Sequence, residues 1–272
     1  MIKKTAYLAE NVIRLYFINH ISRASAALSY FFMLSLFPLL ICLNSMLGSL
    51  FPTAEEFEGI LRGMLPVETV NTLMDYLAYV SSNSSHRMVT VALVALATSS
   101  AAGFRIVDKV MNEIRRVKKV KKQFAFFMSF VYSLVFLSAI YFAALLIASG
   151  GWFINFIDEN VKIINISKNW EWFRFLLLFF VLFIFILGAY RLCSPKKSDT
   201  LIVPGAFWAS FAIVAVSFVF SWFIGISIKY PLIYGSLASV MVMLLWLYIF
   251  SNLLFLGNIL NTALEKINEA RT

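Results

Sequence analysis

Charge is what this chain has least of. Lys, Arg, Asp and Glu together make up 14% of its 272 residues, against about 25% in an average soluble domain. Hydrophobic residues reach 61%, Phe alone numbers 28, and the mean hydropathy is +0.84. A soluble fold of this size could not hide so much apolar surface, so disorder and a secreted enzyme are poor readings. Cysteine is also scarce. Cys42 and Cys193 lie far apart, in or at the end of apolar runs, which excludes a disulfide scaffold and leaves buried free thiols as the expectation. Together with only two histidines, His20 and His86, they make no convincing zinc site.

Motif absences narrow the classes further. There is no GxxxxGK[ST] phosphate loop, so the chain does not hydrolyse ATP itself. There is no GxSxG nucleophile elbow. No carboxylate lies in the middle of an apolar run, where ion-coupled carriers commonly place one. No catalytic residue, cofactor or metal is therefore expected, and the chain does not read as an enzyme.

What is present is a series of long apolar runs. A spanning helix needs about 20 mostly apolar residues. Six segments qualify, roughly 25–51, 88–107, 124–149, 172–193, 201–228 and 233–263. The expected fold is all-α, a single polytopic bundle of about six spans over 1–272. The first 23 residues lack the long apolar core of a signal peptide and read as an amphipathic helix on the membrane surface. If the N-terminus is cytoplasmic, 17 Lys and Arg fall inside and 6 outside, giving net charges of +11 and −2. Basic loops stay cytoplasmic, so both termini are placed inside, and 52–87 and 150–171 outside. In the first outer segment Thr53 and Glu56 form a capping box. Apolar stripes on both sides of Pro66 then suggest an amphipathic helical hairpin.

The cytoplasmic basic segment runs from Arg105 through Lys109, Arg115 and Arg116 to Lys122, with Val107, Met111, Ile114 and Val117 on one helical face. It reads as a basic amphipathic helix beside anionic lipid. No aromatic side chains interleave with the charges, which argues against nucleic acid. Arg105, Asp108, Lys109 and Arg191 are candidates for receiving a lipid head group at the inner mouth. Polar residues within apolar runs are costly and therefore informative. In the first span these are Ser29, Tyr30, Ser35, Pro38 and Asn44. Pro38 should kink the helix and free the carbonyl of Leu34, for which Ser35 or a neighbouring helix is the expected partner. In the last span they are Tyr234, Gly235, Ser236, Trp246, Asn252 and Asn258. Lys229 and Pro231 ahead of it suggest a broken or re-entrant start. Packing and a substrate path both remain open for the two stripes.

Two of these motifs have a family look. Arg23-Ala24-Ser25-Ala26-Ala27-Leu28-Ser29-Tyr30 with Leu34-Ser35-Leu36-Phe37-Pro38-Leu39, and Leu232-Ile233-Tyr234-Gly235-Ser236-Leu237-Ala238 with Leu245-Trp246-Leu247-Tyr248 and Leu256-Gly257, resemble the first and last spans of the YihY/virulence factor BrkB family. Pro204-Gly205-Ala206-Phe207 fits it too. The resemblance covers nearly the whole chain. It implies a six-span protein of the bacterial inner or plasma membrane, with links to lipid or lipopolysaccharide export. Members usually carry a glutamate two residues after the glycine equivalent to Gly257, where this chain has Ile259, with Asn258 and Asn261 beside it. The family's older label, ribonuclease BN, finds no metal-binding carboxylate cluster or histidine pair here.

The leading expectation is a cell-envelope transporter or lipid translocator for an anionic or amphiphilic substrate, with membrane lipids as partners. The alternative is a non-transporting scaffold that gathers an envelope protein partner. The topology is directly testable. Alkaline phosphatase fused within 52–87 or 150–171 should be active, and green fluorescent protein fused after Thr272 should fluoresce. The opposite pattern would invert the assignment.

Overall fold

The computed structural model describes residues 2–47, 58, 67–83, 86–116, 170–193, 201–226 and 236–269. Among them the only regular elements are helices: α1 (Ile2–Ile18), α2 (Ile21–Leu47), α3 (Val67–Asn83), α4 (His86–Arg115), α5 (Trp170–Leu192), α6 (Val203–Ile226) and α7 (Ser236–Glu269). Segments within α2, α4, α6 and α7 are long and apolar enough to cross a membrane, and α5 carries a shorter apolar stretch, Phe179–Arg191. The expected third span, 124–149, the first limb of the outer hairpin and the start of the last span, with Tyr234 and Gly235, lie outside the described residues.

The inverted dressing of the helices follows from the solvent. Val91, Val94, Ile184, Trp208, Phe211 and Val219 are exposed, as side chains facing lipid would be. Several hydroxyls inside the bundle are satisfied within their own helices, although the buried Ser25 hydroxyl has no partner among the described residues. Ser99, Ser210, Ser217, Ser251 and Thr262 each donate to the carbonyl one turn back, because no water is there to bond them. α2 continues through Pro38. Of the two partners expected for the Leu34 carbonyl, Ser35 is not the one. Its hydroxyl donates to Phe32 at 2.8 Å, the carbonyl within reach of a serine folded back along its own helix.

α7 is the central element, packing against α1, α2, α3, α4 and α6. α1 and α2 are joined by a corner at Asn19-His20. His20 takes φ of 49°, and its carbonyl accepts from Arg23 and Ala24 to start α2. The corner clips to α7 on both sides. Tyr16 Oη donates to Asn252 Oδ1 at 2.9 Å, and Ser22 Oγ meets Tyr248 Oη at 2.8 Å. Burial, and then the adjacent Tyr248 phenol, raises the Tyr16 pKa above its ordinary value, so it remains a neutral donor. α2 packs along α4, and α3 leans on α2 through the Phe37–Tyr76 edge contact.

The tightest contact is the crossing of α6 and α7. A Cβ on Gly257 would meet the Tyr190 hydroxyl, the Gly205 carbonyl at 2.6 Å and Ala209 Cβ at 2.8 Å. A Cβ on Gly205 would run into the Gly257 carbonyl. Two backbones in contact need two glycines. Asn261 secures the crossing by accepting from the Gly205 N–H at 2.6 Å and donating to the Ile202 carbonyl at 3.0 Å. It thus caps the α6 N-terminus from another helix, where the first backbone donors have no partner of their own.

Gly257→Ala and Gly205→Ala should each destabilise the protein by about 1–3 kcal/mol. Gly103→Ala should be neutral or mildly stabilising, since its Cβ would make ordinary contacts with Leu28 Cδ1 at 3.5 Å and Phe31 Cβ at 3.6 Å. Thermal unfolding of the three purified variants in one detergent checks the ordering.

Candidate functional site

Two features lie close together in the half of the bundle where α4 and α7 end. The first is a narrow groove between α2, α4, α5 and α7. Leu28, Phe31 and Phe32 come from α2, Ser99, Ser100, Gly103 and Val107 from α4, Ala189 from α5 and Leu254 from α7. Its wall is apolar, with one polar strip formed by Ser35, Ser99 and Ser100. The hydroxyls of Ser35 and Ser99 bond their own helices. Gly103 gives the groove its width, because any larger side chain there would project from α4 toward Leu28 and Phe31.

The second feature is a polar cluster about one helical turn farther along α5 and α7, counting four residues from Ala189 to Cys193 and from Leu254 to Asn258. Its centre is Arg115 at the end of α4, whose side chain is only 4% exposed. The guanidinium Nε donates to Asn258 Oδ1 at 3.3 Å, and Nη1 donates to Glu265 Oε1 at 3.3 Å and Oε2 at 3.5 Å. A buried cation needs such partners, because desolvation without them costs several kcal/mol. The Tyr190 hydroxyl donates to the Leu254 carbonyl alongside. α4 and α7 have 30 and 34 residues, or about 45 and 50 Å, against a hydrocarbon core of about 30 Å. Their ends outrun that core, so this ion pair can form beyond it.

Few residues of the sequence-predicted path line the groove. Ser35 lines it. Ser29 is buried and donates to Ala26, Tyr30 is exposed, and Pro38 continues α2. Trp246 donates through Nε1 to Ser217 at 3.3 Å, and Asn252 accepts from Tyr16. Both therefore join helices. The side chains of Asn44 and Ser236 lie outside the described residues. Of the inner-mouth candidates, Arg105, Lys109 and Arg191 are exposed. Arg105 donates to the Ala101 carbonyl, Asp108 accepts from Asn112, and Lys109 faces Glu113 at 4.0 Å. Ile259 is fully buried, while Asn258 and Asn261 bond outward to α4 and α6.

Sequence reasoning placed Arg115 in a basic run and did not mark Glu265. A usable signal was present. Arg115 falls four residues after Met111 and eight after Val107, on the buried face of α4. Gly257, Asn261 and Glu265 likewise follow each other at four-residue steps along one side of α7.

Comparison with known proteins agrees with this architecture. The chain is 23% identical over 249 residues to YfkH of Bacillus subtilis, whose name calls it ribonuclease-like, covering 89% of each chain. It is 26% identical over 255 residues to a UPF0761 membrane protein of Haemophilus influenzae, covering 92% of each. A UPF0761 membrane protein of Aggregatibacter aphrophilus matches at 24% over 93% of this chain and 90% of its own. No solved structure matches. These relatives and the apolar helices make this a multi-pass bacterial membrane protein. The model of the family described as virulence factor BrkB matches residues 13–272, and the chain belongs to that family.

Proposed function

We propose that this protein moves an amphiphilic lipid across the bacterial inner membrane. The observation that carries the reading is the groove itself. A mostly apolar groove among four helices presents the kind of wall along which an acyl chain lies, and the hydroxyls of Ser35 and Ser99, bonded to their own helices, leave that wall without strong polar demand. Ligand sites between helices of a bundle commonly have this mixture of apolar wall and a few polar groups. A fixed cavity in a rigid core would instead be filled by side chains, whereas here a glycine, Gly103, keeps the space open. Basic side chains exposed near the inner ends of α4 and α5, among them Lys109 and Arg191, favour an anionic head group at that surface. The chain has no nucleotide-binding loop, so the movement follows a gradient or a partner supplies the energy.

The test is lipid translocation by purified protein in proteoliposomes, comparing fluorescent anionic and zwitterionic lipids. Protein-dependent flipping is expected, faster for the anionic lipid. Gly103→Phe, which fills the groove, should slow it by about tenfold or more, while Gly103→Ala leaves it within about twofold. Absence of flipping for every lipid would overturn the reading and favour a scaffold.

A further inference from the structure

The Arg115 cluster is incompletely satisfied. Arg115 Nη2 and Asn258 Nδ2 are both buried, and neither has a hydrogen-bond partner. Asn258 is 1% exposed and the Arg115 side chain 4%. The two nitrogens belong together. In a guanidinium, Nη2 shares an edge with Nε, and Nε is the atom bonded to Asn258 Oδ1. The two NH₂ groups of this bonded pair therefore present four N–H bonds with nothing among the described residues to accept them. One water oxygen, with two lone pairs, could accept only half of them. A group with several oxygens could accept them all.

The geometry points to a phosphate-binding site at Arg115 and Asn258, controlled by competition with the Glu265 carboxylate. Phosphate suits the donors, because charge-assisted bonds from a guanidinium edge to an oxyanion are short, strong and directional. Glu265 currently holds Nη1 and is 20% exposed, the more accessible partner of the pair. An arriving phosphate takes the Nη2 and Nδ2 donors and weakens the hold of Glu265 on the guanidinium. The position also fits the proposed function, on which the lipid form of the inference rests. With the tail in the groove, a phosphate one helical turn farther along α5 and α7 would lie at this cluster.

Two isosteric substitutions give opposite expectations. Asn258→Asp replaces the two free donors with a carboxylate that still pairs with Arg115. Glu265→Gln removes the competing charge. The full chain, purified in a neutral detergent, is titrated calorimetrically with dihexanoyl phosphatidic acid, inorganic phosphate and, as a phosphate-free control, dihexanoylglycerol. The wild-type protein should bind at least one phosphate probe saturably and leave the control unbound. Asn258→Asp and Arg115→Gln should weaken binding about tenfold or more, and Glu265→Gln should tighten it about threefold or more. Binding of the lipid alone identifies a head-group site, and binding of inorganic phosphate alone identifies a free-phosphate site. The inference is overturned if neither probe binds, if Asn258→Asp binds like wild type, or if Glu265→Gln weakens binding. Because this readout needs no bilayer, Arg115-dependent binding without lipid flipping would defeat the transport reading alone.

Discussion

The backbone contact between α6 and α7 at Gly205 and Gly257 is the constraint on which the bundle depends. Lipid tails are as apolar as the helices, so hydrophobicity gives two helices little reason to prefer each other. Close approach and hydrogen bonding decide instead. The two glycines bring the backbones together, and Asn261 ties the α6 N-terminus to α7. α5 is then drawn in, because Tyr190 reaches the Leu254 carbonyl next to the crossing. The opposite side of α7 accepts the α1–α2 corner through Asn252 and Tyr248. A single helix thus sets the positions of most of its neighbours.

The groove and the arginine cluster are two products of this arrangement with different physics. The groove lies between the helices, where a missing side chain at Gly103 leaves room and the nearby hydroxyls are already bonded along their own helices. It makes little electrostatic demand on whatever enters. The cluster lies toward the ends of α4 and α7, where a charged pair is held by its own partners and where Arg115 retains donors that those partners do not use. An amphiphile has the same division between an undemanding tail and a demanding head.

Much of the architecture could be read from the sequence, because apolar runs bounded by charge are strong signals. α2, α4, α5, α6 and α7 overlap the segments anticipated for the first, second, fourth, fifth and sixth spans. The site was far less legible. Polar residues in the spans left packing and a substrate path both open, and Trp246 and Asn252 join one helix to another while Ser29 bonds its own. Sequence identifies a costly polar group but not which neighbour compensates it. Arg115 was hidden for the opposite reason. Among the closely spaced cations of the basic segment its charge carries no distinguishing mark, and only its phase relative to Val107 and Met111 separates a buried arginine from a solvated one. Ser35 adds a geometric lesson, since proline frees one carbonyl while the serine beside it can reach another.

The order of the elements has a consequence for biosynthesis. Chains enter the membrane from the N-terminus as they are made. α1 and α2 therefore emerge long before α7, the helix that holds their corner through Tyr16 and Ser22. Until then the first two helices have α4 to lean on but not their clasp. Arg115 too is made well before its partner Glu265, and the α6 N-terminus is made before Asn261. The last helix completes contacts that the earlier ones leave open. A ribosome stalled before α7 would leave behind an inserted but unlocked protein, a natural substrate for membrane quality-control proteases.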